Sequence, residues 1–160
     1  LGDSFMPFNS ALFANVYNAN FGNGCPAGEK QGDAGKAWAQ AMVAGAATVL
    51  APAPSSTISA AESSMAGALA GWNSNTDNAG NMLKSAIQLF AAGMVPGFAP
   101  SIAVPPAGPP PIDSCFPSGE PGAADALTMG NQFGAVLASW FPTGTYIIPG
   151  TPPIGPLPWS

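Results

Sequence analysis

The stretch NMLKSAIQLFAAGM (residues 81–94) decides the fold, because it is the clearest amphipathic helix in the chain. Its large apolar side chains recur at intervals of three and four residues, which places them on one face of a helix. That face comprises Met82, Leu83, Ala86, Ile87, Phe90 and Met94. A helix with one apolar face must bury it against other elements, so this stretch predicts a packed helical domain.

Four other segments repeat the pattern more weakly. Polar residues that cap helix starts and prolines that stop helices mark their boundaries. We expect Ser10 and Asp33 to cap the first two helices, Ser55 or Ser56 the third, and Thr76 or Asp77 the fourth. The five predicted helices cover residues 10–21, 33–50, 55–72, 76–94 and 123–141.

The largest apolar side chains on these stripes are the expected core. Alanine dominates the remaining apolar content, so a few bulky residues must supply most of the buried area. The nine residues that we expect to hold the fold are Trp38, Met42, Leu69, Trp72, Ile87, Phe90, Phe133, Leu137 and Trp140.

Two proline-rich segments break the helical pattern. Residues 95–113 (VPGFAPSIAVPPAGPPPID) cannot sustain a helix or a central strand, because proline lacks the backbone N–H. Residues 143–160 form a second such segment, with one potential strand at 143–148. The sequence therefore predicts an all-α bundle of four to five short Ala-rich helices over residues 1–142, with a long Pro-rich crossover at 95–113 and an extended C-terminal arm at 143–160.

The charge content is unusually low and excludes several classes of partner. The 160 residues include 3 lysines, 8 acidic residues and no histidine, so only 7% are charged, against about 25% in a typical soluble domain. With no arginine and a net charge of −5, the chain cannot neutralise a row of phosphates, so we expect no nucleic-acid partner. Prolines interrupt the uncharged stretch from residue 85 to residue 112, so we do not expect a membrane partner.

The residues of common catalytic and cofactor sites are missing from the sequence. Without histidine, Ser-His-Asp and Cys-His arrangements cannot form within the chain. The paired carboxylates Glu29 with Asp33 and Glu120 with Asp125 flank predicted helix starts, where capping is their usual role. No phosphate-binding glycine motif or calcium loop is present. We expect a non-enzymatic protein with no catalytic residue, cofactor, metal or small-molecule substrate.

The two cysteines occupy similar contexts. Cys25 lies in GCPAGEKQGDAGKAW (residues 24–38) and Cys115 in SCFPSGEPGAADAL (residues 114–127), each before an alanine-rich helix. A disulfide between Cys25 and Cys115 would close a loop of about 90 residues and stabilise the fold by about 4 kcal/mol. Two buried free thiols fit the sequence equally well. Zinc fits poorly, because it normally takes four ligands.

The C-terminal arm carries bulky apolar residues among prolines and is the predicted partner-binding segment. Proline lowers the entropy of a free tail, so ordering it on a partner costs less. The residues expected to bind partners are Tyr146, Ile147, Ile148, Ile154, Leu157 and Trp159. The alternative is that the arm packs on its own core. A second candidate contact is the small-residue face of the third helix, defined by Ala60, Ser63, Gly67 and Gly71.

The Ala-rich helices and the ending TGTYIIPGTPPIGPLPW (residues 143–159) resemble small virion structural proteins of tailed bacteriophages. This resemblance is compositional and implies a symmetric, multi-copy, non-enzymatic role as a tail, baseplate or capsid-decorating component, located in the virion. The expected partners are copies of the chain itself and other assembly subunits. The alternative function is a secreted or surface-exposed module that binds a membrane or host surface.

Overall fold

The protein, seen in a computed structural model, is mostly helical with a small antiparallel sheet near its C-terminus. The structure describes residues 8–22, 31–49, 55–72, 78–115 and 126–159. The helices are α1 (Ser10–Gly22), α2 (Gln31–Ala46), α3 (Ser55–Ala68), α4 (Ala79–Met94) and α5 (Ala126–Trp140). The strands are β1 (Ile102–Val104), β2 (Thr145–Ile148) and β3 (Ile154–Pro158).

The helix boundaries differ from the sequence predictions by a few residues. In α1 the cap is Asn9 and not Ser10, because the Asn9 side-chain oxygen accepts a hydrogen bond from the Leu12 N–H at 3.0 Å. Helix α2 begins before Asp33, which therefore lies in its first turn. The residue before α4 is Asn78, in the left-handed region at φ 61° with no side-chain cap; Thr76 and Asp77 lie outside the described residues.

The helices pack as neighbours in a row: α5 on α1, α1 on α2, α2 on α3, and α3 on α4. A short 3-10 turn, Ile112–Cys115, contacts both α4 and α5 and so links the two ends of the row. All nine predicted core residues are buried, which confirms that prediction. The apolar stripes found by periodicity are thus the surfaces that meet.

Aromatic rings form the centre of the core. Phe13, Tyr17, Trp38 and Phe133 contact one another with ring centroids 4.7 to 5.9 Å apart. Phe8 stacks on Phe141 at 4.8 Å and also contacts Phe13. Since aromatic side chains bury the largest areas, this cluster supplies much of what the numerous alanines cannot.

The all-α prediction is wrong in one respect, because three strands form a sheet in the order β1-β2-β3. Part of the predicted crossover and half of the predicted arm make this sheet: Ala103 pairs with Tyr146, which pairs in turn with Leu157. Two extended Pro-rich segments cannot form helices, so they satisfy their backbone groups by pairing with each other. The fold is α-dominant with a small sheet.

Pro158 lies at a position of the edge strand β3 where it breaks no ladder hydrogen bond. The Trp159 N–H donates to the Gly144 oxygen at 3.0 Å, which fixes the hydrogen-bonding phase between β2 and β3. Since bonded and non-bonded pairs alternate in an antiparallel ladder, the Pro158 nitrogen lies on the side away from β2. A missing N–H there costs no ladder bond and removes a donor from the open edge.

Candidate functional site: the outer face of the C-terminal sheet

The structure places the six predicted partner-binding residues in different environments. Tyr146 and Trp159 are buried in the chain's own core, while Ile148 and Leu157 pack against that core. Ile147 is half-buried on the other side of the sheet, and Ile154 is 56% exposed. The core side of the sheet therefore agrees with the alternative that the arm packs on its own chain. Partner binding stays a prediction for the side chains that reach the surface.

Trp159 anchors the end of the chain in a ring pocket. Its ring stacks on Phe98 and contacts Phe141, and its indole N–H donates to the Thr145 oxygen at 3.0 Å. Gly144 lies directly against it: a Cβ at that position would be 2.8 Å from the Trp159 ring. The pocket thus requires both a large ring at position 159 and no side chain at 144.

The opposite side of the sheet, which we call the outer face, is apolar and open. The register of the pairs places Ile102 opposite Ile147, and Val104 opposite Thr145, which also pairs with Pro158. Residues directly opposite share a face, so these five side chains form one surface. Ile102 is 66% exposed and Val104 is 58% exposed. The outer face is defined by Ile102, Val104, Thr145, Ile147 and Pro158.

Sequence reasoning missed the β1 part of this surface. The sequence predicts residues 95–113 as a Pro-rich crossover that sustains neither a helix nor a central strand, because five of the residues from 100 to 110 are prolines. The available signal was the alternation Ile-Ala-Val between Pro100 and Pro105, which is typical of a short strand. Two β-branched residues flanking an alanine would place both on the same face, as the structure has them.

The small-residue face of α3 is also open. Ala60, Ser63 and Gly67 on α3 are exposed, and so is Gly71, which lies in the turn after the helix ends at Ala68. No atom lies within 4 Å of a Cβ built on Gly67 or Gly71. A shallow groove of about 350 Å³ lies beside the end of this helix. Its lining residues are Ala68, Asn78, Asn81, Met82, Ser85 and Ala86. These side chains are small, neutral or amide-bearing and supply no acid, base or nucleophilic thiol.

Cys115 is buried and forms no disulfide with another described residue. Burial raises the pKa of this thiol, and a hydrogen bond from the neighbouring Ser114 acts in the opposite direction. Burial likewise raises the pKa of Tyr17, with the nearby Cys115 adding to the effect. Cys25 lies outside the described residues, so the geometry of the hypothesised Cys25 to Cys115 bridge is not described.

The described part of the chain holds no group of three or more His, Cys, Asp or Glu side chains that could bind a metal. Within the same residues, every buried side-chain nitrogen or oxygen has a hydrogen-bond partner. No described helix is both long enough and apolar enough to cross a membrane.

Comparisons with known proteins add no relationship: no family model, no curated protein and no solved structure matches the chain.

Proposed function

We propose that the chain is a non-enzymatic structural subunit of a large symmetric assembly, and that this assembly is a phage virion. The main support for the proposal is that the described residues carry few charges and leave an apolar sheet face exposed to solvent. The virion is favoured by the compositional resemblance alone. In it, the chain would serve as a tail, baseplate or capsid-decorating component.

The few charges of the described part support this proposal. They belong to Asp33, Lys36, Glu62, Lys84 and Asp113. Lys84 and Asp113 pair with each other at 3.1 Å, which further reduces the charge available to attract water. Charged residues are depleted at the centres of protein interfaces, so a surface of this composition suits a subunit largely covered by neighbours.

The exposed apolar side chains give the same indication. Besides the outer face, Leu12 on α1, Leu89 on α4 and Leu127 on α5 are each more than 40% exposed. They lie on three different helices, so apolar contact points are spread around the molecule. A subunit with several neighbours requires contacts on several sides.

Light scattering of the purified full chain, with and without reductant, tests the proposal. A defined multimer many times the chain mass of 15.9 kDa is expected, and electron microscopy would then show its symmetry. Reductant separates association through surfaces from association through an intermolecular disulfide at either cysteine. A monomer at every concentration would overturn the proposal and favour the secreted or surface-exposed module. Binding to vesicles or host surfaces would then be measured.

A further inference from the structure

The outer face carries apolar side chains, whereas the solvent-facing side of such a sheet normally carries polar ones. An antiparallel sheet with one face on a core usually alternates apolar and polar side chains, so that its other face meets water. Here Ile102 and Val104 have higher exposed fractions than any other large apolar side chain in the described residues, and Ile147 lies beside them. Contiguous exposed apolar side chains are typical of a surface that a partner covers.

The distribution of charge favours a second copy of the chain as that partner. No charged residue occurs from residue 85 to residue 112 or from residue 126 to residue 159, the two stretches that supply all three strands. The chain has a net charge of −5, so identical copies repel each other where their acidic residues approach. An uncharged face brings no like charges together. It also offers nothing to a partner recognised by charge.

The edges of the sheet make face-to-face contact more favourable than strand addition. At the β1 edge, the alternation of hydrogen-bonded and non-hydrogen-bonded pairs directs the backbone N–H and C=O of Ala103 away from β2. The next outward positions are Ser101, whose N–H already donates to the Phe98 oxygen, and Pro105, which has no N–H. One free donor is too few to hold an added strand, and β3 has prolines on its outer side.

The size of the outer face predicts how strong one such contact can be. Strands of three to five residues, at about 3.3 Å per residue and about 4.8 Å between strands, give a face of roughly 15 Å by 15 Å. The area of such a face is well below the about 800 Å² per partner that a standard stable interface buries. A single contact should therefore be weak, and a multi-copy assembly would need further contacts through other surfaces of the same subunit.

We propose that the outer face packs on the outer face of a second copy, about a two-fold axis, with the two sheets about 10 Å apart. This inference rests on the proposed function, since it names the partner of one surface of the same subunit. Ile102 and Val104 lie at the centre of the contact. Ile147 and Pro158 extend it across the other two strands.

Sedimentation equilibrium of the full chain, from about 10 μM to about 1 mM, tests this pairing. The wild type should show a mass that rises above 15.9 kDa with concentration. Ile102→Lys and Val104→Lys should each weaken the association by about tenfold or more, because each places a charge in the apolar contact. Ala92→Lys is the matched control: Ala92 is exposed on α4 and is not one of the apolar contact points of the proposed assembly. It should leave the association within about threefold of wild type.

The outcomes separate this inference from the proposed function. A wild type that stays monomeric would overturn both. A multimer that withstands Ile102→Lys and Val104→Lys, or that Ala92→Lys dissociates equally, would overturn the pairing and leave the assembly proposal standing. Binding of the monomer to phosphatidylcholine or phosphatidylglycerol vesicles, lost in Ile102→Lys, would assign the face to a lipid surface instead. Far-UV circular dichroism checks that each variant keeps its helices, as expected for changes at exposed positions.

Discussion

The ring of Trp159 stacks on the ring of Phe98, with 4.6 Å between the centroids and 28° between the planes. These residues belong to the two Pro-rich segments, which are far apart in sequence. Their contact joins the last strand to the turn that follows α4. The C-terminal segment is therefore part of the folded body and completes its core.

Replacement of Trp159 should cost much of the stability of the protein. Trp159→Ala leaves a cavity beside Phe98 and Phe141 and should lower the free energy of unfolding by about 3 to 5 kcal/mol. Trp159→Phe keeps a ring but loses the hydrogen bond to Thr145, so its cost should be smaller. Urea denaturation followed by circular dichroism measures both. An unchanged midpoint for Trp159→Ala would show that the arm does not pack on the core in solution.

Two glycine substitutions should change stability in opposite directions. At Gly35 of α2 an added Cβ would lie 2.6 Å from the Leu69 Cβ and 2.7 Å from the Leu69 backbone oxygen. Gly35→Ala should therefore destabilise by about 1 to 3 kcal/mol, because α2 and α3 must separate. Gly67 of α3 faces open space, so Gly67→Ala should stabilise by up to about 1 kcal/mol. Thermal unfolding of the pair decides this, and equal effects would contradict the close approach of α2 and α3.

The stability of the protein should fall at alkaline pH. Cys115 and Tyr17 have raised pKa values in the folded state because they are buried. Once the pH passes the ordinary pKa values of 9.0 and 10.0, these groups lose their protons in the unfolded state but keep them in the folded state. Because the folded state then binds more protons, its stability decreases as the pH rises. The contribution is fully present below these values. Urea titrations between pH 7 and pH 11 measure the slope.

Two variants assign that slope to its groups. Tyr17→Phe keeps the ring and should flatten the decline above pH 10, the ordinary Tyr pKa. Cys115→Ala should flatten the earlier part, which begins near pH 9. A slope that neither variant changes would assign the pH dependence to other groups.

Cys115 should react slowly with alkylating reagents in the folded protein. Burial limits access and keeps the thiol protonated at neutral pH, whereas the thiolate is the reactive form. Labelling without reductant, first in buffer and then in urea, followed by peptide mass spectrometry, measures the change. We expect Cys115 to be labelled in urea only. A peptide that links Cys115 to Cys25 would instead confirm the disulfide hypothesis.

The helices could be predicted from sequence because their signals are local. In α4, for example, the repeat of Leu83, Ile87, Phe90 and Met94 is visible within four turns and depends on no distant residue. The predicted cap of α1, Ser10, lies one position after the observed cap, Asn9, because Asn and Ser are both good capping residues. Only the geometry of the backbone distinguishes them.

The sheet could not be predicted in the same way. The pairs between β1 and β2, such as Ala103 with Tyr146, join residues more than 40 positions apart, and β1 has only three residues. Prolines near both strands indicated extended chain but not its partner. The outer face depends on that pairing, and so does the burial of Trp159. The arm was correctly identified as apolar and extended, whereas its packing on the core required the long-range register.

The positions of Pro158 and Pro105 have a further consequence for a protein with so little charge. Charged side chains on edge strands are one means by which proteins keep exposed strands from joining into fibrils. The three lysines and eight acidic residues of this chain provide this repulsion only weakly. Here Pro105 and Pro158 remove donors from the two sheet edges, and Ala103 is left as the one free donor at the β1 edge. An added strand therefore finds few of the hydrogen bonds that propagate amyloid-like growth. Copies of this chain at high local concentration therefore gain little from adding strand to strand at these edges.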